Sequence, residues 1–505
     1  MNQKKIMAKK KRFFSFAGKY QTIILFFIFI VLSFIFFSPT YLNQNFFWDD
    51  ERFIFLNPEV LQAPHWYSFW IFKSEFFKSW PLGYSIFYVL IKYSTLNSLN
   101  FFKSLNIIFH AINAFLVYRI IKKFNFHYPI LISLIFLIHP LNVEVVSWIF
   151  QLLTILAMTF FLLSFLNLIK FLKLKKLRYY IGSLLFFLFS LWTKSIALFS
   201  PCLFVLIFWL YRSKLKSYLL LTPFFLLSLY IGFFNIRGIK YTTGQGPNKD
   251  STTSEIIISK LEKDLDLVIE KNKSIIKNTS EKIYFDFIYP KTETTFTYKP
   301  IKIFKQASWH YFSQLLIPMN MNFIYEDIDY GYVLTSIPIF ILLIVPLFFI
   351  KKDRLYLFIP FMTLAFLFPY MGLSNITFFY WSNVSDRYLY FFILVLIFVL
   401  GLLAKKFPTK TMETLISFYC LLLSIQSIHY GLKFNRPVEL YKEIIIYKPH
   451  PVIYSAIIDD YIIKLDEING ERILNEALKK YPNDPLLETE KFKLNNLKKF
   501  YLNNK

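Results

Sequence analysis

Three consecutive carboxylates stand in Phe46-Phe47-Trp48-Asp49-Asp50-Glu51-Arg52, just after the first strongly apolar stretch and just before Asn57-Pro58. Neighbouring carboxylates raise one another's pKa, which suits a general base taking a proton from an attacking hydroxyl. The same oxygens suit a divalent cation. A solvated acidic turn is the plain alternative. Charge this dense beside a membrane segment is costly unless it meets water, a cation or a substrate. Asp49 and Asp50 therefore lead the candidates for chemistry, with Glu51 beside them.

Other stretches join them. His139-Pro140-Leu141-Asn142-Val143-Glu144 reads as a Pro-induced turn between two apolar segments, and Glu144 opens a long apolar run where it needs a partner if buried. Lys194, in Thr193-Lys194-Ser195, is a lone cation. Arg387, in Ser385-Asp386-Arg387-Tyr388-Leu389-Tyr390, suits an anionic lipid phosphate, which a guanidinium grips with two hydrogen bonds. Pairing with Asp386 or reaching to a headgroup would also account for Arg387. Arg237 is a weaker cation of the same kind.

These side chains need a scaffold, and the composition says which. The chain has 505 residues, 56% of them hydrophobic, against roughly 45–50% in ordinary soluble domains. The excess lies in long Phe/Leu/Ile blocks, so the sequence predicts an all-α polytopic membrane protein. Apolar runs fall at about 20–38, 105–121, 128–139, 143–169, 179–193, 196–211, 217–235, 331–350, 355–371, 387–404 and 411–429. That makes about eleven transmembrane helices. The segments 81–93 and 304–318 are short and broken by polar groups, and read as interfacial helices.

Charge gives the topology. The net charge is +25, yet the basic residues cluster between apolar blocks, as the positive-inside rule requires, so nucleic acid is not the partner. Arg119/Lys122/Lys123, Lys173 to Arg178, Arg212 to Lys216, Lys351 to Arg354 and Lys405 to Lys410 all fall on one side when the N-terminus is cytoplasmic. The expected division is a basic cytoplasmic N-terminus at 1–19, a transmembrane domain at 20–429 with outer loops 39–104 and 236–330, and an extracytoplasmic tail at 430–505. The first run, too long for a signal-peptide core, reads as an uncleaved signal-anchor. Within loop 236–330, residues 254–277 carry apolar positions near helical spacing. Cys202 and Cys420 each sit in an apolar run and read as buried, unpaired thiols.

The tail has a period. Tyr447-Lys448-Pro449-His450-Pro451 recurs as Tyr481-Pro482-Asn483-Asp484-Pro485, with 34 residues from Pro451 to Pro485. That is the tetratricopeptide spacing, and about two repeats fit. The sequence has no glycine-rich phosphate loop, nucleophile elbow or zinc-type histidine pair, so nucleotide hydrolysis and soluble-type hydrolysis have no support.

Taken in order, Phe47-Trp48-Asp49-Asp50 with Asn57-Pro58, Pro81-Leu82 with Ser85, Asn106 with His110, and His139-Pro140 with Val143-Glu144 and Trp148-Ile149 form a recognisable series. It continues through Lys194 with Pro201, Leu316-Ile317-Pro318 with Tyr325, and Asp386-Arg387-Tyr388-Leu389-Tyr390. The series resembles the GT-C-fold membrane glycosyltransferases, specifically the transmembrane-plus-tetratricopeptide-repeat (TMTC-like) O-mannosyltransferases and their bacterial relatives. The resemblance covers about residues 20–400. It implies a multi-pass protein of a bacterial inner or plasma membrane and a polyprenyl- or dolichyl-phosphate sugar donor. It also implies an inverting transfer to an acceptor protein or glycan. Asp49 or Asp50 would deprotonate the acceptor, and Arg387 or Lys194 would steady the leaving phosphate. No cofactor is implied, a divalent cation remaining open.

The chain departs from that family at three places. Phe150-Gln151-Leu152-Leu153-Thr154 stands where the family has Gly-Arg and an acid, Lys194-Ser195 replaces Lys-Glu, and Trp80 replaces an Arg. Either the donor or acceptor differs, or transfer is lost. The latter would leave a membrane scaffold that binds a partner through its tail. A lipid or sugar transporter would need mid-span charges, of which few are visible.

Overall fold

The computed structural model describes residues 20–41, 50, 54, 60, 63–71, 80–93, 99–242, 299–372, 381–464 and 466–503. The chain forms two compact units. The first holds the described residues up to Thr242, Lys299–Phe323 and Asp327–Asn435, and the second holds Ile324–Glu326 and Arg436 onward. The described residues are helical, with no strand among them.

In the first unit α1 (Tyr20–Phe36) is followed by α2 (Pro81–Tyr93), α3 (Leu99–Lys123) and α4 (Pro129–Ile138). Next come α5 (Leu141–Ser147), α6 (Leu152–Leu174), α7 (Leu177–Thr193), α8 (Pro201–Leu210) and α9 (Thr222–Thr242). After the undescribed stretch stand α10 (Pro300–Leu316), α11 (Tyr332–Ile339), α12 (Phe358–Phe366), α13 (Ile393–Lys406) and α14 (Lys410–Phe434).

Five helical stretches are long and apolar enough to cross a membrane: Leu99–Lys123, Ile149–Leu174, Leu215–Asn235, Tyr332–Phe349 and Lys410–Phe434. The bent pair α4–α5 makes six if it counts as one span. Four more apolar helices are shorter: Tyr20–Phe36, Leu177–Thr193, Pro201–Leu210 and Arg354–Tyr370. Proline is one cause of the irregularity. Pro338 lies inside α11, which passes into a π segment (Phe340–Ile344) and then a 3-10 segment with Pro346 near its start. Proline removes a backbone donor and clashes with the preceding turn. The two segments read as interfacial are helices of 13 and 17 residues, α2 and α10.

The stretch Ile149–Leu174 is the centre of this unit, 83% buried against 22% for Tyr332–Phe349. The outer helices turn Leu229, Tyr230, Phe348, Phe418 and Leu421 outward, an apolar sheath suited to lipid. Helix α6 packs antiparallel to α7 through small polar groups. Ser164 Oγ donates to Ser183 O (2.8 Å), Ser183 Oγ donates to Ser164 O (2.9 Å), and Ser190 Oγ donates to Ala157 O (2.7 Å). Such residues allow close backbone approach and satisfy polar groups where no water is at hand. Phe124, Phe161, Phe165, Phe358, Phe391 and Phe398 form an aromatic core of edge-on, tilted and stacked pairs. Cys202 and Cys420 are both free thiols; Cys420 is buried as expected, whereas Cys202 is only partly so.

The second unit carries four helices: α15 (Pro437–Tyr447), α16 (Pro451–Ile463), α17 (Glu467–Lys480) and α18 (Pro485–Asn503). Pro451 and Pro485 each open a helix, where a missing N–H costs nothing. Asp466 caps α17 by accepting from the N–H of Asn469. Leu474, Ala477, Leu487 and Leu494 are buried. A Cβ at Gly470 would lie 2.9 Å from the Leu494 side chain, so glycine lets α17 and α18 close up.

Candidate functional site

The site is built on a break in the main chain. Pro140 ends α4, and His139 before it is extended (φ −64°, ψ 128°). The bend to α5 is 60°. His139 supports the turn with both ring nitrogens: Nε2 donates to Leu315 O (3.1 Å) and Nδ1 accepts from the N–H of Leu141 (3.3 Å). Helix α5 then stops at Trp148, again extended (φ −93°, ψ 115°), and a 3-10 turn, Ile149–Gln151, starts the next helical run. Asn106 of α3 holds this second break, its Nδ2 donating to Trp148 O (2.9 Å) and Val146 O (3.2 Å).

Four sequence-predicted charges gather at this break. Asp50 is buried, and its Oδ1 accepts from the N–H of Phe150 (2.8 Å). The carboxylate thus caps the positive end of the Ile149–Leu174 run. Glu144 is fully buried; its Oε1 accepts from Arg387 Nη1 (2.6 Å) and its Oε2 from the Arg387 N–H (3.1 Å). The Arg387 guanidinium lies over the Trp148 ring at 4.9 Å. Lys194 Nζ donates to Gln151 Oε1 (3.0 Å) and Thr154 Oγ1 (2.8 Å), 5.9 Å from the Phe150 ring and 5.8 Å from the Trp80 ring. That Trp immediately precedes helix α2. A Cβ at Gly83 would lie 2.9 Å from Thr193 O, and Trp80 Nε1 donates to Ser195 Oγ (3.1 Å).

The two cations differ. Arg387 is only 7% exposed and tied to Glu144, whereas Lys194 is half-buried and held by neutral oxygens. Asp386, beside Arg387, turns instead to His310 of α10, Oδ1 to Nε2 at 3.3 Å. Tyr311, the next residue, accepts from the N–H of Ser385 (3.1 Å), and burial pushes its hydroxyl well above the usual tyrosine range. A second polar chain supports the break from below. His110 Nε2 donates to Leu137 O (2.9 Å), which leaves Nδ1 to accept from the Tyr390 hydroxyl (2.8 Å). Asn113 Nδ2 donates to Tyr390 Oη (3.0 Å), and Thr159 Oγ1 donates to Asn113 Oδ1 (2.7 Å).

Asp49 and Glu51 lie outside the described residues, as do the Arg237 side chain and the helix expected at 254–277. Among the described residues no three His, Cys, Asp or Glu side chains gather as a metal-holding group. A cavity of about 390 Å³ lined by Phe304, Tyr332, Val333, Thr335, Ser336 and Ile339 touches none of the four charges.

One charged residue at the break is absent from the sequence reading. Lys103 of α3 is 2% exposed and lies within the field of the Asp50 carboxylate. The apolar run was expected to start near 105, whereas the helix starts at Leu99. The signal that marks Lys103 is its position one turn before Asn106, on the same helical face. Comparison of the chain with protein-family models, with curated proteins and with solved structures finds no match.

Proposed function

We propose that the chain is a multi-pass membrane glycosyltransferase. It moves a sugar, mannose or a similar one, from a polyprenyl-phosphate carrier to a hydroxyl of an acceptor protein or glycan. The observation that carries this reading is the convergence of Asp50, Glu144, Lys194 and Arg387 on the chain break at residues 144–154. Carboxylates beside two cations, Lys194 and Arg387, suit a transfer that needs a base and an anionic leaving group.

On this reading an aspartate of the first outer loop, Asp50 or Asp49, takes the acceptor's proton. The acceptor oxygen bonds to the anomeric carbon from the face opposite the phosphate, the bond from that carbon to the phosphate oxygen breaks, and polyprenyl phosphate leaves as an anion. Lys194 steadies that charge, and Arg387 acts from behind it, oriented by Glu144. The scaffold is then a GT-C-type bundle of about eleven spans, with the N-terminus in the cytoplasm of a bacterial cell. The site faces outward with the helical, tetratricopeptide-like tail. A second reading is a non-enzymatic scaffold, favoured by the mutual satisfaction of Glu144 and Arg387.

The test is transfer from polyprenyl-phosphate mannose by the full chain in vesicles, read as release of polyprenyl phosphate. Transfer by the wild type, lost in Asp50→Asn or Asp49→Asn, supports the reading. Full transfer by both variants removes the base assignment. No transfer by the wild type favours the scaffold.

A further inference from the structure

The stretch Ile149–Leu174 carries Lys170 and Lys173 in its last turns, and α7 opens on Leu177 and Arg178. The stretch Leu215–Asn235 starts at the same end of the unit, because Tyr180 Oη donates to Leu220 O (2.8 Å) and the Lys173 ammonium lies over the Tyr211 ring at 5.7 Å. Two helical stretches long enough to cross a membrane thus terminate side by side, so any bilayer they cross places its headgroups at this turn. The Tyr179 ring carries two cations, the Arg178 guanidinium at 4.9 Å from its centroid and the Lys170 ammonium at 5.6 Å. Arg178 Nη2 also donates to Tyr179 Oη (3.2 Å). Positive charge favours the C-terminal turn of a helix, and a cation gains a little over a ring. Neither effect requires three cations drawn together on neighbouring tyrosines. No carboxylate answers them. No Asp or Glu stands between Glu144 and Asp250 in the sequence. Among the described residues the ion pairs lie elsewhere, as Glu144–Arg387 and Lys405–Asp353 do. Leu174 and Leu177 stand exposed between the cations, at 53% and 65%.

We propose that the turn between α6 and α7 binds one anionic phospholipid, whose phosphate is held by Lys170, Lys173 and Arg178. The guanidinium offers a planar fork to the phosphate oxygens, and the two ammonium groups, which lie one turn apart on α6, add point charges. The phosphate offsets the repulsion among the three cations. A soluble phosphate gains nothing from the exposed leucines. A phospholipid meets both features, its phosphate on the cations and its acyl chains on Leu174 and Leu177. The bound lipid bridges α6, α7 and the turn that carries Tyr211. This site lies at the opposite end of α6 from the chain break at residues 144–154 and shares no residue with it, so the proposal does not rest on the glycosyltransferase reading.

The experiment counts lipid bound to the full chain in detergent micelles by native mass spectrometry. The probes are phosphatidylglycerol, phosphatidylcholine with the same acyl chains, and glycerol 3-phosphate, which is a phosphate without chains. The wild type is expected to hold one phosphatidylglycerol about tenfold or more tightly than phosphatidylcholine. Lys170→Gln, Lys173→Gln and Arg178→Gln each weaken that binding by about fivefold, and the triple variant abolishes the preference. Lys351→Gln combined with Lys352→Gln removes two charges from another turn and leaves it unchanged. Lys170 is half-buried and the other two site cations are exposed, so the single variants fold and decide the matter even if the triple variant does not. Equal retention of the two phospholipids by the wild type overturns the proposal. An equal loss in the Lys351/Lys352 variant overturns it too, since the attraction is then that of a basic protein in general. Glycerol 3-phosphate bound as tightly as the lipid makes this a site for soluble phosphate and defeats the lipid assignment.

Discussion

One carboxylate, Glu144, holds Arg387 at both ends: the guanidinium Nη1 donates to Oε1 at 2.6 Å and the main-chain N–H of the same residue donates to Oε2 at 3.1 Å. The pair therefore fixes the backbone at Asp386–Leu389 as well as the side chain. Both groups are buried, so breaking the pair leaves an uncompensated charge. Glu144→Ala is expected to cost about 3–5 kcal/mol of stability. Glu144→Gln keeps an acceptor and costs less, and Arg387→Lys loses the planar fork that lies over Trp148. Thermal melting of the purified protein in micelles ranks these variants. An alanine variant as stable as the wild type would remove the structural role given to Glu144.

Lys194 offers a test of a different kind. Its Nζ donates to two neutral oxygens, Gln151 Oε1 and Thr154 Oγ1. Gln151→Glu puts an anion about 3 Å from the ammonium. The variant should be as stable as the wild type or more so, yet it should bind an anionic lipid phosphate less well. The expected result is transfer reduced by about tenfold with a melting midpoint no lower than that of the wild type. Lys194→Met should reduce transfer in the same way. If both variants keep full transfer, Lys194 does not hold the leaving phosphate.

The polar chain beneath the site has a stability cost of its own. The Tyr390 hydroxyl serves His110 and Asn113 together, with no exposed atom among the three side chains to recruit solvent readily. Tyr390→Phe leaves a ring nitrogen and an amide donor short of a partner, and each such loss costs about 1–3 kcal/mol. The substitution is nearly isosteric, so packing should be preserved. A lowered melting midpoint without change in the oligomeric profile is the expected outcome, and His110→Phe combined with Tyr390→Phe should cost less than the two single changes added together.

The helical class was legible because long apolar blocks in a membrane leave the backbone no partner but itself. Glu144 and Arg387 each stood out in the sequence as a charge in an apolar neighbourhood. Their pairing did not, because they lie 243 residues apart and nothing local says which buried charge answers which. Lys103 was missed for a boundary reason. Asn100, Lys103 and Ser104 lower the hydropathy of the first turns of α3, so the apolar pattern begins after the helix does. The span expected at 331–350 runs Tyr332–Phe349, but the changes of helix type at Pro338 and Pro346 within it interrupt the ladder without interrupting the apolar run and so left no mark in the hydropathy. Lys194 was visible as a lone cation, but the neutral oxygens it bonds come from the Ile149–Gln151 turn and α6 and could not be read from Thr193-Lys194-Ser195 alone.

The second unit carries a pH dependence of its own. Glu490 of α18 is 1% exposed; its Oε1 accepts from Ser455 Oγ (3.0 Å) and from Lys493 Nζ (2.9 Å), and Lys493 also reaches Asp459 (2.9 Å). Burial, reinforced by the Asp459 charge and opposed by Lys493, pushes the Glu490 carboxyl up to about 8. A carboxyl whose folded pKa lies above its unfolded value of 4.5 favours folding fully below pH 4.5 and loses that contribution as pH rises through about 8. Lys493 is raised as well, and its contribution holds until pH exceeds 10.5, so it adds no slope in this window. Glu490→Gln copies the protonated carboxyl at every pH. The variant tail should match the wild type in resistance to proteolysis near pH 5 and surpass it near pH 9. Equal protection of the two proteins at both pH values would show that Glu490 contributes no pH dependence in this window, Lys493 offsetting its burial.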